Sequence, residues 1–328
     1  MTAPIYLGVD GGGTKTLAVV VREGQVLGQG LTGSGSHQGE GMTNALSNIT
    51  EAMNRALGAA GVDKGQIDGA VLGLTGADFP EDFLRLREGL MPYFDAIPFK
   101  VVNDAEIALV GGARTGHGIV AVCGTGTNVW GLSEEGRSRH VGGLGYEFGD
   151  FGGGLDLVRE VLHSAFRSDE QRGPKTALQK RVLEALGLKD YDAVSRALYF
   201  DPQPIRFMAL APLCFRVAAD GDAVAQTILR RMGQALGDSV VGCAKILGLD
   251  QTPIEVVMAG SLWLGEAPDM VNAFREVLRL ELPLSDPHPP DLAPVAGAAL
   301  LAAVTGGQNA ARWRHPLRSY SLMRDTGD

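Results

Sequence analysis

The same order of elements occurs twice in this chain, and each time a glycine-rich turn follows the first strand. Apolar runs at 5–9 and 118–122 lead into Asp10-Gly11-Gly12-Gly13-Thr14 and Gly124-Thr125-Gly126-Thr127. Two more strand candidates follow each turn, and helices and strands follow those. Two such turns could agree by chance, but the shared order of strands favours an internal duplication. The sequence predicts two α/β halves that join near residues 111–118.

Hydrophobic periodicity predicts the other elements. Strands are expected at 17–21, 26–30, 70–74, 99–102, 128–132, 139–141 and 254–258. Helices are expected at 43–60, 81–90, 105–111, 270–280 and 295–304, with a mostly helical stretch from about 155 to 247.

Length and charge narrow the function classes. A chain of 328 residues is long enough for about two domains. Its 29 basic against 38 acidic side chains give a net charge of −9, which argues against a general nucleic-acid binder because that function needs a basic face. Nucleotide phosphates can still be bound locally by backbone N–H groups and Mg²⁺. The 46 glycines are expected to mark turns and close approaches of backbone to ligand.

The cysteines and histidines form no metal or disulfide pattern. Cys123, Cys214 and Cys243 are far apart, which suits a reducing compartment. The first ten residues do not resemble a signal peptide, and no apolar run approaches about 18 residues. We therefore expect a cytoplasmic protein with no membrane partner. Four histidines without spaced partners are expected to be ordinary surface or core residues (His117, His140, His163 and His288).

The first glycine-rich turn carries groups suited to a phosphate. Glycines bring backbone N–H groups close to an anion, Thr14 adds a hydroxyl, and Lys15 adds a cation. Asp10 is a candidate ligand of Mg²⁺, directly or through water. The turn is not a Walker A loop, and it is not a dinucleotide fingerprint because a strand follows it. The alternative is a tight hairpin with a solvated aspartate.

The second turn, at 124–127, is the counterpart of the first and offers threonine hydroxyls as further donors. Two such loops facing each other would hold a triphosphate from both sides. A third small-residue turn, Ala259-Gly260-Ser261, follows the strand at 254–258, and Gly260 would let a nucleotide lie flat on the backbone.

Asp104 lies where a strand ends and a helix begins, within Val102-Asn103-Asp104-Ala105. One interpretation is a helix N-cap. The other is a general base that accepts a hydroxyl proton during phosphoryl transfer. Strand ends at one edge of an open sheet are where such sites form.

The segment 142–154 contains seven glycines in thirteen residues. This density suits a loop that wraps a small ligand, with Asp150 accepting hydrogen bonds from hydroxyls. Its embedded Leu144, Tyr146, Phe148 and Phe151 argue against a flexible linker, because linkers are polar. The tail at 306–328, which is basic and contains Trp313 and Tyr320, is expected to be a surface-packed or frayed extension.

Together these motifs resemble the sugar-kinase/Hsp70/actin superfamily, and more closely the bacterial N-acetylglucosamine kinases and BadF/BadG-type ATPases. The resemblance covers roughly residues 5–305. It depends on the segments 10–15, 103–105, 124–128, 142–154 and 259–261 and on the closing VAGAALL at 295–301.

The resemblance implies a duplicated ribonuclease H-like (actin/hexokinase-type) fold with two domains, 1–115 and 116–305, around a central cleft. It implies that the second domain has a helical insertion, that the helix at about 295–305 packs back on the first domain, and that the protein is a homodimer. ATP and Mg²⁺ would bind on the second domain, and a sugar would bind between the two.

The resemblance also implies roles for single residues. Asp104 is the base and Asp10 organises Mg²⁺. The nucleotide would contact the two turns and the third one (Asp10, Gly11, Gly12, Gly13, Thr14, Lys15, Gly124, Thr125, Gly126, Thr127, Gly260 and Ser261). The sugar would contact a second set (Ser36, His37, Asn103, Asn128, Gly143, Leu144 and Asp150).

Three departures from the family pattern fall on the sugar side. Ser36 or His37 stands where amino-sugar kinases carry an asparagine, and Leu144 stands where they usually carry a tryptophan. Phe151 and Gly153 replace a glutamate and a serine. The acceptor is therefore an amino sugar, a muramyl sugar or an unrelated hydroxyl compound.

An ATP-dependent sugar kinase is the function that we expect. One alternative is an ATPase that drives a protein partner, as BadF/BadG-type activators do with a shared iron–sulfur cluster. The cysteines here do not form a cluster-ligand pattern. The other alternative is a non-catalytic sugar- or nucleotide-binding regulator, which the retention of Asp104 beside both turns disfavours.

Overall fold

A computed structural model describes residues 3–200 and 207–318, which form two compact units. The first unit comprises the described residues up to Val120 and from Pro289 onward, and the second comprises those within Ala121–His288. The predicted domain boundaries after residues 115 and 305 differ from these divisions. The chain returns to the first unit before its closing helix begins.

The elements in chain order are as follows. The strands are β1 (Ile5–Gly11), β2 (Thr16–Arg22), β3 (Gln25–Thr32), β4 (Gly69–Leu74), β5 (Phe99–Asn103), β6 (Gly118–Cys123), β7 (Thr127–Leu132), β8 (Ser138–Val141), β9 (Ile254–Ala259) and β10 (Ser285–His288). The helices are α1 (His37–Glu40), α2 (Met42–Ala60), α3 (Pro80–Phe94), α4 (Asp104–Gly112), α5 (Gly154–Asp169), α6 (Leu178–Leu186), α7 (Tyr191–Phe200), α8 (Leu210–Ala219), α9 (Ala223–Leu247), α10 (Asp269–Glu281), α11 (Pro294–Thr305) and α12 (Ala310–Arg318).

The first unit is built on a five-stranded sheet with the order β3-β2-β1-β4-β5. β1 and β2 are antiparallel, as are β2 and β3, whereas β1, β4 and β5 run parallel. Alternate side chains of β1 enter two cores. Leu7 and Val9 pack with α2 and α3 on one face, and Tyr6 packs with α11 and α12 on the other. Burial on both faces explains why the run IYLGV is continuously apolar.

Helix α11 lies directly on the central strand of this sheet. A Cβ at Gly8 would lie 2.4 Å from the backbone nitrogen of Ala299, and one at Gly297 would lie 2.1 Å from the carbonyl oxygen of Ile107. The small residues of the run VAGAALL therefore allow backbone-to-backbone packing between the helix, the sheet and α4. This contact holds the closing helix in the first unit.

The second unit repeats the same strand order, β10-β9-β6-β7-β8. β6, β7 and β8 correspond to β1, β2 and β3, and β9 and β10 correspond to β4 and β5. β7 and β8 are antiparallel, and β9 and β10 are parallel. The predicted duplication and the ribonuclease H-like class are thereby confirmed. Helices α5 to α9 form the helical insertion between β8 and β9.

Three elements, α1, β10 and α12, were not predicted, and one expectation was wrong. Strand β10 and helix α12 had no apolar periodicity to reveal them. The first part of the tail is neither frayed nor only superficial, because α12 buries Trp313 to 1% exposure and Arg314 to 7%. Tyr320 and Arg324 lie outside the described residues. No helix within those residues is long and apolar enough to span a bilayer.

Candidate active site

Four loops of the first unit meet at one edge of its sheet. β1, β4 and β5 are parallel, so their carboxyl ends share that edge. The turn after β1 contacts the loop after β3, because the Gly35 N–H donates to the Gly12 carbonyl over 3.0 Å. The Thr75 N–H, after β4, donates to the Gly11 carbonyl over 2.9 Å. The predicted residues of this half of the chain are therefore brought together.

Asp104 is the first residue of α4, and a threonine holds its carboxylate. The Thr75 hydroxyl donates to Asp104 Oδ2 over 2.5 Å. The helix N-cap is Asn103, whose side-chain oxygen accepts the Ala105 N–H. The N-cap interpretation of Asp104 is therefore wrong. Its carboxylate lies at a helix N-terminus, where the helix dipole stabilises negative charge.

Asn103 is 1% exposed and is held by the unit itself. Its amide nitrogen donates to the Ala77 carbonyl over 3.1 Å and to Asp78 Oδ1 over 3.0 Å. Both amide hydrogens are therefore engaged by the loop after β4. A contact between Asn103 and a sugar, as predicted from the sequence, would have to use its oxygen.

Asp10, at the end of β1, is partly buried beside Asp104. Burial and then the Asp104 carboxylate raise the pKa of Asp10 to about 7, against a lowering effect of Lys15. Within the described residues, no three His, Cys, Asp or Glu side chains are grouped to hold a metal ion. Magnesium bound with a nucleotide needs only one or two protein carboxylates. Asp10 fits that requirement, and a cation would offset its proximity to Asp104.

Three glycines in the two turns have no structural reason to be glycine. A Cβ at Gly13, Gly124 or Gly126 would meet no atom of the described residues within 4 Å beyond the adjoining ones, and none of the three has a positive φ. Glycine in such a place costs conformational entropy without a packing return. The open positions leave space beside the backbone for a ligand, which is the role that the sequence suggested.

Other turn glycines are required by the fold. A Cβ at Gly11 would lie 2.6 Å from Leu74, and one at Gly260, where φ is +107°, would lie 2.2 Å from the Cys123 carbonyl oxygen. The contact at Gly260 joins the loop after β9 to the turn after β6. Gly260 therefore has a packing role whether or not a nucleotide lies on it.

The second turn lies against the start of α5. The Gly154 N–H donates to the Gly124 carbonyl over 2.9 Å, and the Leu155 N–H donates to the Thr125 carbonyl over 3.0 Å. These two bonds fix the turn, and Asp156 accepts the N–H groups of Gly152 and Gly153 at the same helix start. In the first turn, Thr14 and Lys15 are exposed.

His37 is mostly buried and is fixed by Asp82. Its Nε2 lies 3.2 Å from Asp82 Oδ1, and Asp82 Oδ2 accepts the Phe79 N–H over 3.0 Å. Nδ1 of His37 is buried and has no hydrogen-bond partner in the part of the chain described here. A buried polar atom of this kind costs free energy until a ligand group pairs with it. Ser36 precedes it and is 7% exposed.

The glycine-rich segment of the second unit closes on itself through Asp150. Oδ2 of Asp150 accepts the N–H groups of Leu144 and Gly145 over 2.8 and 2.7 Å. Five glycines of the segment have positive φ, so its path depends on them (Gly142, Gly143, Gly145, Gly149 and Gly152). Asp150 holds the loop, and its predicted contact with a sugar remains a prediction.

Asn128 and Gly143, also predicted on the sugar side, lie together in the second unit. A Cβ at Gly143 would lie 3.4 Å from Cγ of Asn128. The amide oxygen of Asn128 is 2.6 Å from Nε2 of His140.

Sequence reasoning missed Thr75, Asp82 and His140. Thr75 could have been found, because it directly follows a strand that is parallel to the strands before Asp10 and Asp104. Nothing in residue spacing signals Asp82 or His140, because their contacts depend on how the loops fold.

Two sheets of one strand order, each with a glycine-rich turn after its first strand, define a protein of the actin/hexokinase class. A family model described as the BadF/BadG/BcrA/BcrD ATPase family matches residues 7–302. The chain therefore belongs to the BadF/BadG/BcrA/BcrD ATPase family, and the resemblance found in the sequence is confirmed.

Three relatives are similar to this chain over most of their own length. The N-acetylmuramic acid/N-acetylglucosamine kinase of Clostridium acetobutylicum is 28% identical over 84% of this chain and 91% of its own. The N-acetyl-D-glucosamine kinase of Dictyostelium discoideum is 33% identical over 76% of this chain and 82% of its own. A crystal structure of a candidate N-acetylglucosamine kinase from Chromobacterium violaceum is 25% identical, with a TM-score of 0.71 over 91% of this chain and 99% of that one.

Proposed function

We propose that this protein is an ATP-dependent kinase that phosphorylates a hydroxyl of an amino sugar, with Asp104 as the general base. The observation that carries the proposal is the Thr75–Asp104 pair, at the same sheet edge as the first glycine-rich turn. The named relatives support the choice of acceptor, since both are kinases of N-acetylglucosamine and one also of N-acetylmuramic acid.

Asp104 would take the proton of the acceptor hydroxyl as its oxygen attacks the γ-phosphorus of ATP. The bond between that phosphorus and the β,γ-bridging oxygen breaks, and ADP leaves. The Thr75 hydroxyl keeps the carboxylate in one orientation, so that the attacking oxygen and the base stay aligned. The helix N-terminus favours the negative charge of the carboxylate that accepts the proton.

The two turns would hold the phosphates. The Cβ positions of Gly13, Gly124 and Gly126 are open, so an anion would reach the backbone there, and Thr14 and Lys15 add a hydroxyl and a charge. Mg²⁺, when bound with the nucleotide, would supply charge neutralisation at the phosphates, with Asp10 as its protein carboxylate. Gly260 and Ser261 would lie on the adenosine side.

The remaining predicted residues would bind the sugar. In the first unit these are Ser36, His37 and Asn103, and a buried nitrogen of His37 meets no hydrogen-bond partner among the described residues. In the second unit they are Asn128, Gly143, Leu144 and Asp150. The replacements at Leu144, Phe151 and Gly153 leave the choice among amino sugars to experiment. We also propose a cytoplasmic homodimer, on the family resemblance and the three buried free thiols.

The decisive measurement is ADP release with ATP and Mg²⁺ against a panel of acceptors. The panel contains N-acetylglucosamine, glucosamine, N-acetylmannosamine, N-acetylmuramic acid, glucose and no sugar, with Asp104→Asn as the matched control. We expect one amino sugar to stimulate ADP release strongly and Asp104→Asn to remove most of the turnover while ATP still binds. Full activity in Asp104→Asn would contradict the assignment of the base. Hydrolysis that is independent of sugar would favour the partner-driving ATPase.

A further inference from the structure

The carboxylate of Asp82 joins the loops that follow β3 and β4. Its Oδ1 lies 3.2 Å from Nε2 of His37, and its Oδ2 accepts the Phe79 N–H over 3.0 Å. The side chain of His37 is 12% exposed and that of Asp82 is 15% exposed, so the pair is sheltered from bulk water. Asp82 belongs to the first turn of α3, and it therefore attaches His37 to that helix.

This contact determines which nitrogen of His37 carries the proton in the neutral ring. An ionised carboxylate accepts hydrogen bonds and donates none, so Nε2 is the donor. The other nitrogen, Nδ1, is then unprotonated and can only accept a hydrogen bond. Nδ1 is buried and has no hydrogen-bond partner in the described part of the chain. A ligand that donates to Nδ1 would therefore remove an unfavourable buried acceptor.

One loop links this pair to the proposed base. The loop after β4 begins with Thr75, whose hydroxyl donates to Asp104 Oδ2. The same loop ends at Phe79, whose N–H donates to Asp82. Hydrogen bonds at both ends of the loop therefore place His37 and Asp104 on the same side of the first unit.

The helical turn that carries His37 is loosely packed. α1 has only four residues. A Cβ at Gly39 or Gly41 would meet no atom of the described residues within 4 Å beyond the adjoining ones and the turn itself. A shift of this turn would open Nδ1 to a ligand hydroxyl, while Nε2 stays bound to Asp82.

We propose that Asp82 is a positioning residue for the acceptor sugar and that it acts through His37. By holding the proton on Nε2, Asp82 keeps Nδ1 as an acceptor for a hydroxyl of the sugar. This inference rests on the proposed function. A carbonyl or carboxylate oxygen has no proton to donate and would be repelled by Nδ1, so the pair selects a hydroxyl at this position.

Asp82→Asn tests the role because the amide keeps the shape of the carboxylate and reverses the contact. Its oxygen would accept the Phe79 N–H, which directs its NH₂ group to Nε2 of His37. Nε2 would then accept, and Nδ1 would carry the proton. NMR of the ring nitrogens in protein labelled with ¹⁵N-histidine distinguishes the two forms, and the His37 signals are those that His37→Gln lacks.

We expect Nε2 to carry the proton in the wild type and Nδ1 to carry it in Asp82→Asn. Saturation of the wild type with the sugar that most stimulates ADP release in the acceptor panel should shift the Nδ1 signal. Asp82→Asn should raise the KM for that sugar about tenfold or more, which corresponds to the loss of one hydrogen bond. The KM for ATP should not change.

Glu81→Gln is the matched control. It removes the same charge one position earlier in α3, and Glu81 is exposed. Its sugar KM should stay within about twofold of the wild type, because an exposed charge contributes little.

A double-mutant cycle with His37→Gln tests whether the effect passes through His37. The glutamine can still donate to Asp82 but has no acceptor at the position of Nδ1. We expect His37→Gln to raise the sugar KM by a similar factor, and Asp82→Asn to have no further effect in that background. Melting temperatures show whether each variant is folded.

Four results would overturn the inference: a proton on Nδ1 in the wild type, an Nδ1 signal that the sugar does not shift, an unchanged sugar KM in folded Asp82→Asn, or an effect of Asp82→Asn that Glu81→Gln reproduces or that persists in His37→Gln. The proposed function fails on a different observation, the absence of sugar-stimulated ADP release by the wild-type protein. That result would overturn the inference as well.

Discussion

At the scale of single residues, Asp104 depends on a hydroxyl that lies 29 positions earlier in the chain. Thr75→Val keeps the shape of the side chain but removes the donor, so the carboxylate loses its fixed orientation. We expect kcat to fall about 10- to 100-fold, with the KM for ATP little changed. Thr75→Ser retains the hydroxyl and should stay close to the wild type. Steady-state kinetics of the three proteins check this, and a full kcat in Thr75→Val would contradict it.

The second prediction at this scale concerns Asp10 in the protein without ligands. The pKa of Asp10 is raised from 3.8 to about 7, so the folded state binds this proton more tightly than the unfolded chain does. The contribution of Asp10 to stability therefore falls as the pH rises from about 4 to about 7, and the loss is complete above that range. Asp10→Asn removes the charge that causes this loss.

We therefore expect Asp10→Asn to be more stable than the wild type at pH 8, by about 1 to 3 kcal/mol. The difference should shrink as the pH is lowered to 4. Urea unfolding at the two pH values, without nucleotide or Mg²⁺, measures it. A difference that is the same at both pH values would show that the charge of Asp10 is not its cause. The same variant should lose activity.

At the scale of elements, helix α12 is attached through a buried arginine. Arg314 donates to the Val110 and Gly111 carbonyls at the end of α4 and to Asp291. Removal of this guanidinium would take a buried donor from both carbonyls, of which that of Gly111 still accepts the Leu292 N–H over 3.1 Å. We expect Arg314→Met to lower the free energy of unfolding by about 2 to 4 kcal/mol.

Arg312→Met is the matched control, because Arg312 pairs with Glu23 at the surface and both side chains are more than half exposed. Its cost should be below about 1 kcal/mol. Chemical denaturation of both variants makes the comparison. Equal effects would contradict the buried role of Arg314.

Apolar periodicity was sufficient to predict the strands and helices that are buried on both faces. It did not predict elements that form only because a neighbouring element pairs or packs with them. Each predicted strand and helix lies within a few residues of its observed bounds. β10 reads Ser-Asp-Pro-His and is a strand because β9 pairs with it. α12 contains an internal proline, which a helix prediction from the sequence does not expect.

For the candidate site, the predicted strand ends located Asp10 and Asp104. The contact of His37 with Asp82, 45 residues away, has no local signal in the sequence.

At the scale of the whole molecule, the duplication places an unpacked glycine at a matching position in each unit. Gly13→Ala and Gly126→Ala would each add a methyl group where, beyond the adjoining residues, no atom of the described part of the chain lies within 4 Å. We expect both variants to keep the wild-type melting temperature, or to exceed it slightly because alanine restricts the unfolded chain. If the turns bind phosphate, both should raise the KM for ATP about tenfold or more.

Gly297→Ala is the contrasting variant, because its Cβ would lie 2.1 Å from the Ile107 carbonyl oxygen. It should be destabilised by about 1 to 3 kcal/mol or fail to fold. Thermal melting and ATP kinetics of the three variants distinguish a glycine kept for packing from one kept for a ligand. A loss of stability in Gly13→Ala or Gly126→Ala without a change in ATP kinetics would contradict the ligand role.

The return of the chain to its first unit has a consequence during synthesis on the ribosome. When residue 120 emerges, one face of the first sheet, including Tyr6 and Val19, still lacks the helix that covers it in the finished protein. That helix begins at Pro294, so the whole second unit is translated in between. The second unit can therefore fold on the nascent chain while the sheet of the first unit still exposes apolar surface. Contact with a chaperone is most useful during that period.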